Sequence, residues 1–300
     1  MERRLTRRQF VGAIGLAGLL WRVPLPRSGT AAAPVAQESG RTRLVNLSDF
    51  HWGYRGEWNR SIDGTFQRAL DQAKSLSPDL LVVTGDLIQA CHTAAERERR
   101  LDAVKTRLDA IEVPWMAVPG EHDTFGDMGR AFEHRIGPLY FHRVFRGLHV
   151  FGLDNVSRGY YLGRGQLSWL SAETRRLGND ARLLVLSHAP LFSLFGPWNW
   201  STFDGPQAYA LMAGFRLRHF LFGHIHQALN RRAYGTMNYA GLPTSWPLPE
   251  PGSLVRLEPW PQGGTNPDMG LGLRVIDIDS RGFSDGQVPL AQSAPRGVRP

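Results

Sequence analysis

The 300-residue chain contains a single cysteine, Cys91. One thiol cannot close an intrachain disulfide and cannot build a thiolate metal cluster, so any metal would have to be held by nitrogen and oxygen. Long apolar runs are scarce as well. The run at 11–21 is about half of the roughly 20 residues that cross a bilayer as a helix, and no stable membrane anchor is expected. No internal repeat is present, which sets aside solenoids and propellers. Excess charge is also thinner than the total implies. The formal net charge is +8, but Arg3, Arg4, Arg7, Arg8, Arg22 and Arg27 against Glu2 put +5 of it in the first 33 residues and leave +3 elsewhere. A long Lys/Arg stripe is missing, so a nucleic-acid partner is not expected. The mildly basic remainder suits an anionic substrate without identifying one.

The opening reads as an address. A basic stretch, Thr6-Arg7-Arg8-Gln9-Phe10, precedes the apolar run, and small residues follow at 30–33. Such a run after a basic n-region is a signal h-region, and the arginine pair followed by Phe resembles a twin-arginine export signal. The expected layout is a signal peptide at 1–33, a linker at 34–42, one domain at 43–286 and a disordered tail at 287–300. This implies the twin-arginine export machinery as a partner and a periplasmic or extracellular location.

Beyond residue 43 the chain alternates short apolar runs with amphipathic stretches. Strands are predicted at 44–47, 80–84, 115–118, 150–153, 183–186 and 220–222, each bounded by Gly, Pro, Asp or His. Helices are predicted at 62–76, 93–111 and 166–177. That alternation argues for an α/β protein. Two further strands, 253–258 and 271–278, are expected as a late hairpin.

The informative pattern is where the acids and histidines fall. Asp49-Phe50-His51 follows the first strand, Gly85-Asp86 the second and Gly120-Glu121-His122-Asp123 the third. Ser187-His188 and Gly223-His224-Ile225-His226 follow two later ones. Five strands therefore deliver ligand-type residues at their carboxyl ends, the edge where α/β sheets bind ligands. Imidazole and carboxylate without thiolate suit Mn, Fe or Zn. Two such ions need a bridging carboxylate, and Asp86 on its Gly-preceded turn fits that place; the pair would activate water against a phosphoryl group.

These five blocks, in this order, resemble the calcineurin-like metallophosphoesterase family. The segment Gly165-Gln166-Leu167-Ser168-Trp169-Leu170 after Asp154 is similar to the branch containing class III cyclic nucleotide phosphodiesterases. The resemblance implies two packed mixed β-sheets flanked by helices. It implies two metal ions, with Asp49, His51 and His226 on the first, Asp86 between them, and His188 and His224 on the second. It also implies that His122 contacts the phosphoryl oxygen or protonates the leaving group, with Asp123 orienting it.

One position departs from the family pattern: Glu121 stands where Asn is usual. Either Glu121 ligates and the site holds an Fe(III)/M(II) pair, or it turns away and leaves a weaker second metal. The expected function is hydrolysis of a small phosphate ester, a diester being favoured. Trp198 and Trp200 are candidates for a substrate-binding aromatic rim. The competing readings are a secreted metal-binding module with little turnover, which leaves His122 without a purpose, and a nuclease or nucleic-acid binder.

Overall fold

The computed structural model describes residues 40–259 and 270–290. The export signal predicted at 1–33 and the last ten residues of the predicted tail lie outside the described residues.

Leu80–Thr84 reads LLVVT and is buried at every position. A strand apolar on both faces has to lie between two layers. Among the described residues eleven strands form two sheets. The first contains β1 (Thr42–Leu47), β2 (Leu80–Thr84), β3 (Trp115–Val118), β10 (Gly272–Asp279) and β11 (Gly282–Pro289), in the order β11-β10-β1-β2-β3. The second contains β4 (Phe141–Phe145), β5 (Leu148–Gly152), β6 (Arg182–Leu186), β7 (Leu217–Phe222), β8 (Asn230–Ala233) and β9 (Thr236–Ala240), in the order β4-β5-β6-β7-β9-β8. Strands β1, β2 and β3 run parallel, as do β5, β6, β7 and β9.

The period of two along each strand sorts side chains into layers. Leu44, Leu80, Val82, Leu184, Leu186 and Leu221 meet in one apolar cluster between the sheets. Their neighbours Val45, Leu81 and Val83 face the other way. There they meet Phe66 of α1 (Ile62–Ser75), Leu101 and Leu108 of α2 (Ala94–Asp109) and Phe132 of α4 (Arg130–Arg135). Leu183, Val185 and Phe220 likewise pack against Leu170 of α5 (Gly163–Thr174) and Tyr209 of α6 (Gly205–Leu211). The product is two mixed sheets flanked by helices, the architecture anticipated from the motif order. Buried Arg274 of β10 fastens one sheet to the other, donating to Ala240 O at 2.8 Å and Asn230 Oδ1 at 3.0 Å and pairing with Asp285.

The predicted strand at 253–258 does not form. Residues 253–256 make bends and 257–258 are irregular, with Val255 fully exposed. The reason is that both edges of β10 are already taken, by β1 on one side and β11 on the other. Strand β11 runs three residues past the expected domain end at 286. Edge strands β4 and β8 read FHRVF and NRRA and carry too little apolar signal to stand out.

Candidate metal centre

The carboxyl ends of β1, β2, β3, β6 and β7 converge, and hydrogen bonds extend the pairing beyond the strands themselves. Asp49 N donates to Gly85 O at 3.1 Å, His51 N to Asp86 O at 3.0 Å, and Gly223 N to His188 O at 2.8 Å. Five site residues hold left-handed backbone there: Asp49 (φ 53°), His51 (48°), Asp86 (51°), His224 (69°) and His226 (51°). Each non-glycine residue in that region costs of order 1 kcal/mol or more, and such strain persists only where the surroundings enforce it. Glycine is forced where the strand ends crowd. A Cβ on Gly223 would come within 2.6 Å of Thr84 O and 3.0 Å of Asp49 Oδ2, and one on Gly120 would overlap Asp86.

The turned side chains form two triads of donor atoms, Asp49/His51/His226 and Glu121/His188/His224. Asp86 lies between them, its Oδ2 being 3.5 Å from His51 Nε2 and 3.5 Å from His188 Nε2. Glu121 does not turn away: its two oxygens stand 2.7 Å from His188 Nε2 and 3.0 Å from His224 Nδ1.

Hydrogen bonds fix the tautomers, as outer partners do for metal-ligating histidines. Nδ1 of His51 faces Gln89 Oε1 at 3.0 Å, Nδ1 of His226 faces Trp246 O at 2.7 Å, and Nδ1 of His188 faces Thr84 O at 2.7 Å. Each of these oxygens accepts, so each Nδ1 carries the proton and each neutral ring leaves Nε2 as a bare lone pair. The Nε2 atoms of His51 and His226 then face each other at 3.1 Å, and that of His188 faces a carboxylate. Lone pairs at that range repel unless a cation lies between them. Moreover, His188 Nε2, Glu121 Oε2 and both ring nitrogens of His224 make no hydrogen bond of acceptable geometry although all are buried. Close approach without hydrogen-bond alignment is what donors aimed at a common third atom produce. The residues fit a pair of metal ions.

Electrostatics agree. Burial pulls His188 down, but the Asp86 and Glu121 carboxylates outweigh it and hold the ring well above its ordinary range. Burial is likewise outweighed at His226, which Asp49 raises. His51 goes the other way, held well below its ordinary range by burial and by His122 and His226. Desolvation pushes the Glu121 carboxyl up, yet the His224 and His188 rings win and keep it well below the usual carboxylate range. The cluster calls for positive charge, and a proton or a metal ion can supply it.

His122 differs from the other histidines. Its Nδ1 accepts from Ala90 N–H at 3.1 Å, so the neutral ring carries its proton on Nε2, which points to Asp86 Oδ2 at 4.0 Å. It offers the site a donor rather than a lone pair. Asp123, expected to orient that ring, does something else. It accepts from the backbone N–H groups of Gly120 (2.8 Å), Leu87 (3.2 Å) and Ile88 (3.0 Å), locking α3 (Glu121–Thr124) to the Asp86 turn. Burial and the nearby Asp86 charge push its carboxyl up to about 8, against those three donors.

The aromatic candidates also change. Trp200 is fully buried in the core of the second sheet and cannot line a rim. Trp198 is partly buried against that core, edge-on to Trp200 at 5.1 Å. Trp246 instead packs tilted against His51 at 4.4 Å, and its carbonyl accepts from His226 Nδ1, with Tyr54 behind it at 4.6 Å. Tyr160 lies 5.5 Å from His224, its phenol raised by burial and by Glu121 and Asp86. Asn155 Oδ1 accepts from His188 N at 3.3 Å. Behind Asp49 runs the chain Asn46 to Thr84 to Ser48 to Asp49, with steps of 3.2, 2.7 and 2.5 Å. None of these carries a motif. The one available signal is a run of small polar residues at the ends of otherwise apolar strands.

Comparison with known proteins gives the same assignment. The calcineurin-like phosphoesterase family matches residues 42–228. A probable cyclic nucleotide phosphodiesterase of Rhodococcus erythropolis is 29% identical over 218 residues, 67% of this chain and 68% of that one. The DNA double-strand break repair protein Mre11 of Thermoplasma acidophilum is 25% identical over 279 residues, 85% of this chain and 66% of that one. The chain thus spans about two thirds of the length of these relatives. Among solved structures, a dimetal phosphatase from Danio rerio superposes with a TM-score of 0.59 at 13% identity, covering 83% of this chain and 99% of that one, which shows a shared fold. Motif order, sheet topology and family match converge: the chain belongs to the calcineurin-like phosphoesterases, metal-dependent hydrolases of phosphoric esters.

Proposed function

We propose that this protein is an exported dinuclear hydrolase of small phosphodiesters. The observation that carries the reading is the opposition of donor atoms in two triads about Asp86, with the His122 Nε2–H entering from one side. Two divalent ions, when bound, supply Lewis acidity and activate water near neutral pH. Asp49, His51 and His226 would hold one ion, Glu121, His188 and His224 the other, and Asp86 both. His122 donates from Nε2 to a phosphoryl or leaving-group oxygen, and the Ala90 amide on Nδ1 keeps the ring in that tautomer. Asp123 holds α3 so that His122 and Asp86 stay in register. The cyclic nucleotide phosphodiesterase named among the relatives supports a diester. The arginine pair at Arg7-Arg8 supports export.

The test is turnover of an aryl phosphodiester by Mn(II)-loaded protein beside His122→Ala. The expected result is metal-dependent hydrolysis that falls roughly 10²–10⁴-fold in the variant. Folded, metal-loaded protein that turns over no diester would move the assignment to a metal-binding module. Tight, salt-dependent binding to duplex DNA would instead favour a nuclease, as the likeness to Mre11 would have it. Retention of Arg7→Lys, Arg8→Lys protein in the cytoplasm would support twin-arginine export, and unaltered export would refute it.

A further inference from the structure

We infer that Glu121 sets the charge class of the substrate, lowering the positive charge of the site by one so that it favours monoanionic diesters over dianionic monoesters. The inference rests on the hydrolase reading above and goes past it to selectivity. The Glu121 carboxylate is turned inward onto His188 and His224, and its contacts among the described residues are those two imidazoles. No Arg or Lys among the described residues pairs with Asp49, Asp86 or Glu121; their partners are histidines, Ser48 and backbone amides. The protein therefore brings three carboxylates and no fixed cation to the centre. Counting ions and protein groups alone, two divalent ions against three carboxylates leave a net +1. A diester monoanion brings that to zero, whereas a monoester dianion overshoots to −1. With a neutral amide at 121 the loaded site would hold +2 and match the dianion instead. At an effective dielectric of about 20, one charge a few ångströms away changes relative affinity by tenfold or more.

The experiment compares wild type, Glu121→Gln and Glu121→Asp, each loaded with Mn(II) and assayed for metal content. Two readouts are taken: the ratio of kcat/KM for an aryl diester to that for the matching aryl monoester, and calorimetric binding of inorganic phosphate. The expected result is that Glu121→Gln keeps two Mn per chain, loses at least tenfold in the diester-to-monoester ratio and binds phosphate at least tenfold more tightly. Glu121→Asp, which keeps the charge, should hold the wild-type ratio; a tenfold change there would make shape, not charge, the cause and overturn the inference. An unchanged ratio and unchanged phosphate affinity in Glu121→Gln with both metals retained would also overturn it, leaving the hydrolase reading intact. Loss of the second metal from Glu121→Gln would overturn it too, since Glu121 would then serve retention. Should Glu121→Gln fold poorly, Glu121→Asn carries the same test. A wild type inactive on both esters sinks the hydrolase reading, and the phosphate isotherms then decide the charge question alone.

Discussion

Removing the Asp123 carboxylate separates a structural anchor from an acid–base partner. Its two oxygens accept three buried backbone amides, Gly120 and Leu87 on Oδ2 and Ile88 on Oδ1. Asp123→Ala strands all three. A buried unpaired N–H costs about 1–3 kcal/mol, so even at the lower end the loss is about 3 kcal/mol. With its carboxyl pushed up to about 8, Asp123 carries little charge at pH 7, so little repulsion with Asp86 is relieved and about 3 kcal/mol should be lost, a large share of the 5–15 kcal/mol typical of a domain. Asp123→Asn keeps one oxygen for the Oδ2 pair and leaves one amide unpaired. Its cost should be about 1–3 kcal/mol, below that of Asp123→Ala. Urea denaturation of metal-free protein measures both. The same two variants should rank alike in Mn(II) affinity, because the carboxylate anchors the turns that carry Asp86 and Glu121. Stability of Asp123→Ala within 0.5 kcal/mol of wild type would refute the anchoring argument, by about the smallest difference such curves resolve. A catalytic defect in Asp123→Asn with stability and metal affinity unchanged would restore a role at the His122 ring.

Three more outcomes follow from the packing. Gly120→Ala should fold poorly or lose activity together with metal, since its Cβ would overlap Asp86; normal metal content and rate would contradict the close approach. Trp200→Ala should cost about 3–5 kcal/mol in thermal or urea melts, as large core truncations do, with little change in KM for whatever folds. A raised KM at full stability would return Trp200 to the substrate. Asp277, held below the usual carboxylate range by its paired bonds from Arg43 at 2.9 and 3.1 Å, supplies stability that is present above pH 4 and lost as pH falls through its lowered folded value. Asp277→Asn should therefore cost about 1 kcal/mol at pH 7, the upper range for a partly exposed pair, and progressively less as the pH falls below about 4. A constant difference across that range would rule the pairing out as the cause.

The α/β class, the strand ends that matter and the Asp, Glu and His side chains gathered there were legible in the sequence because their signals are local. Buried strands are short apolar runs, and a ligand must follow each one directly to sit at the sheet edge. Helix α2 was readable for the same reason, down to Thr93, whose side chain caps it by accepting from Glu96 N. Ser61, just before α1, makes no such bond, although its own amide donates to Asn59 Oδ1. Edge strands β4 and β8 were invisible because an edge needs only backbone partners. Residues 253–258 carry strand-like composition, but the place beside β10 is held by β11.

What the sequence determined alone is the inventory: which donors exist, that no thiolate joins them, and the order in which strands deliver them. Only the tertiary structure decided their states. Tautomers of His51, His188 and His226 depend on carbonyl and amide oxygens of Trp246, Thr84 and Gln89, which come from separate turns. The inward turn of Glu121, the anchoring task of Asp123, the burial of Trp200 and the place of Trp246 against His51 are likewise contacts between distant segments. A hydrogen bond's direction and a side chain's burial are properties of the partner as much as of the residue, and a partner 20 or 100 positions away leaves no local trace in the chain.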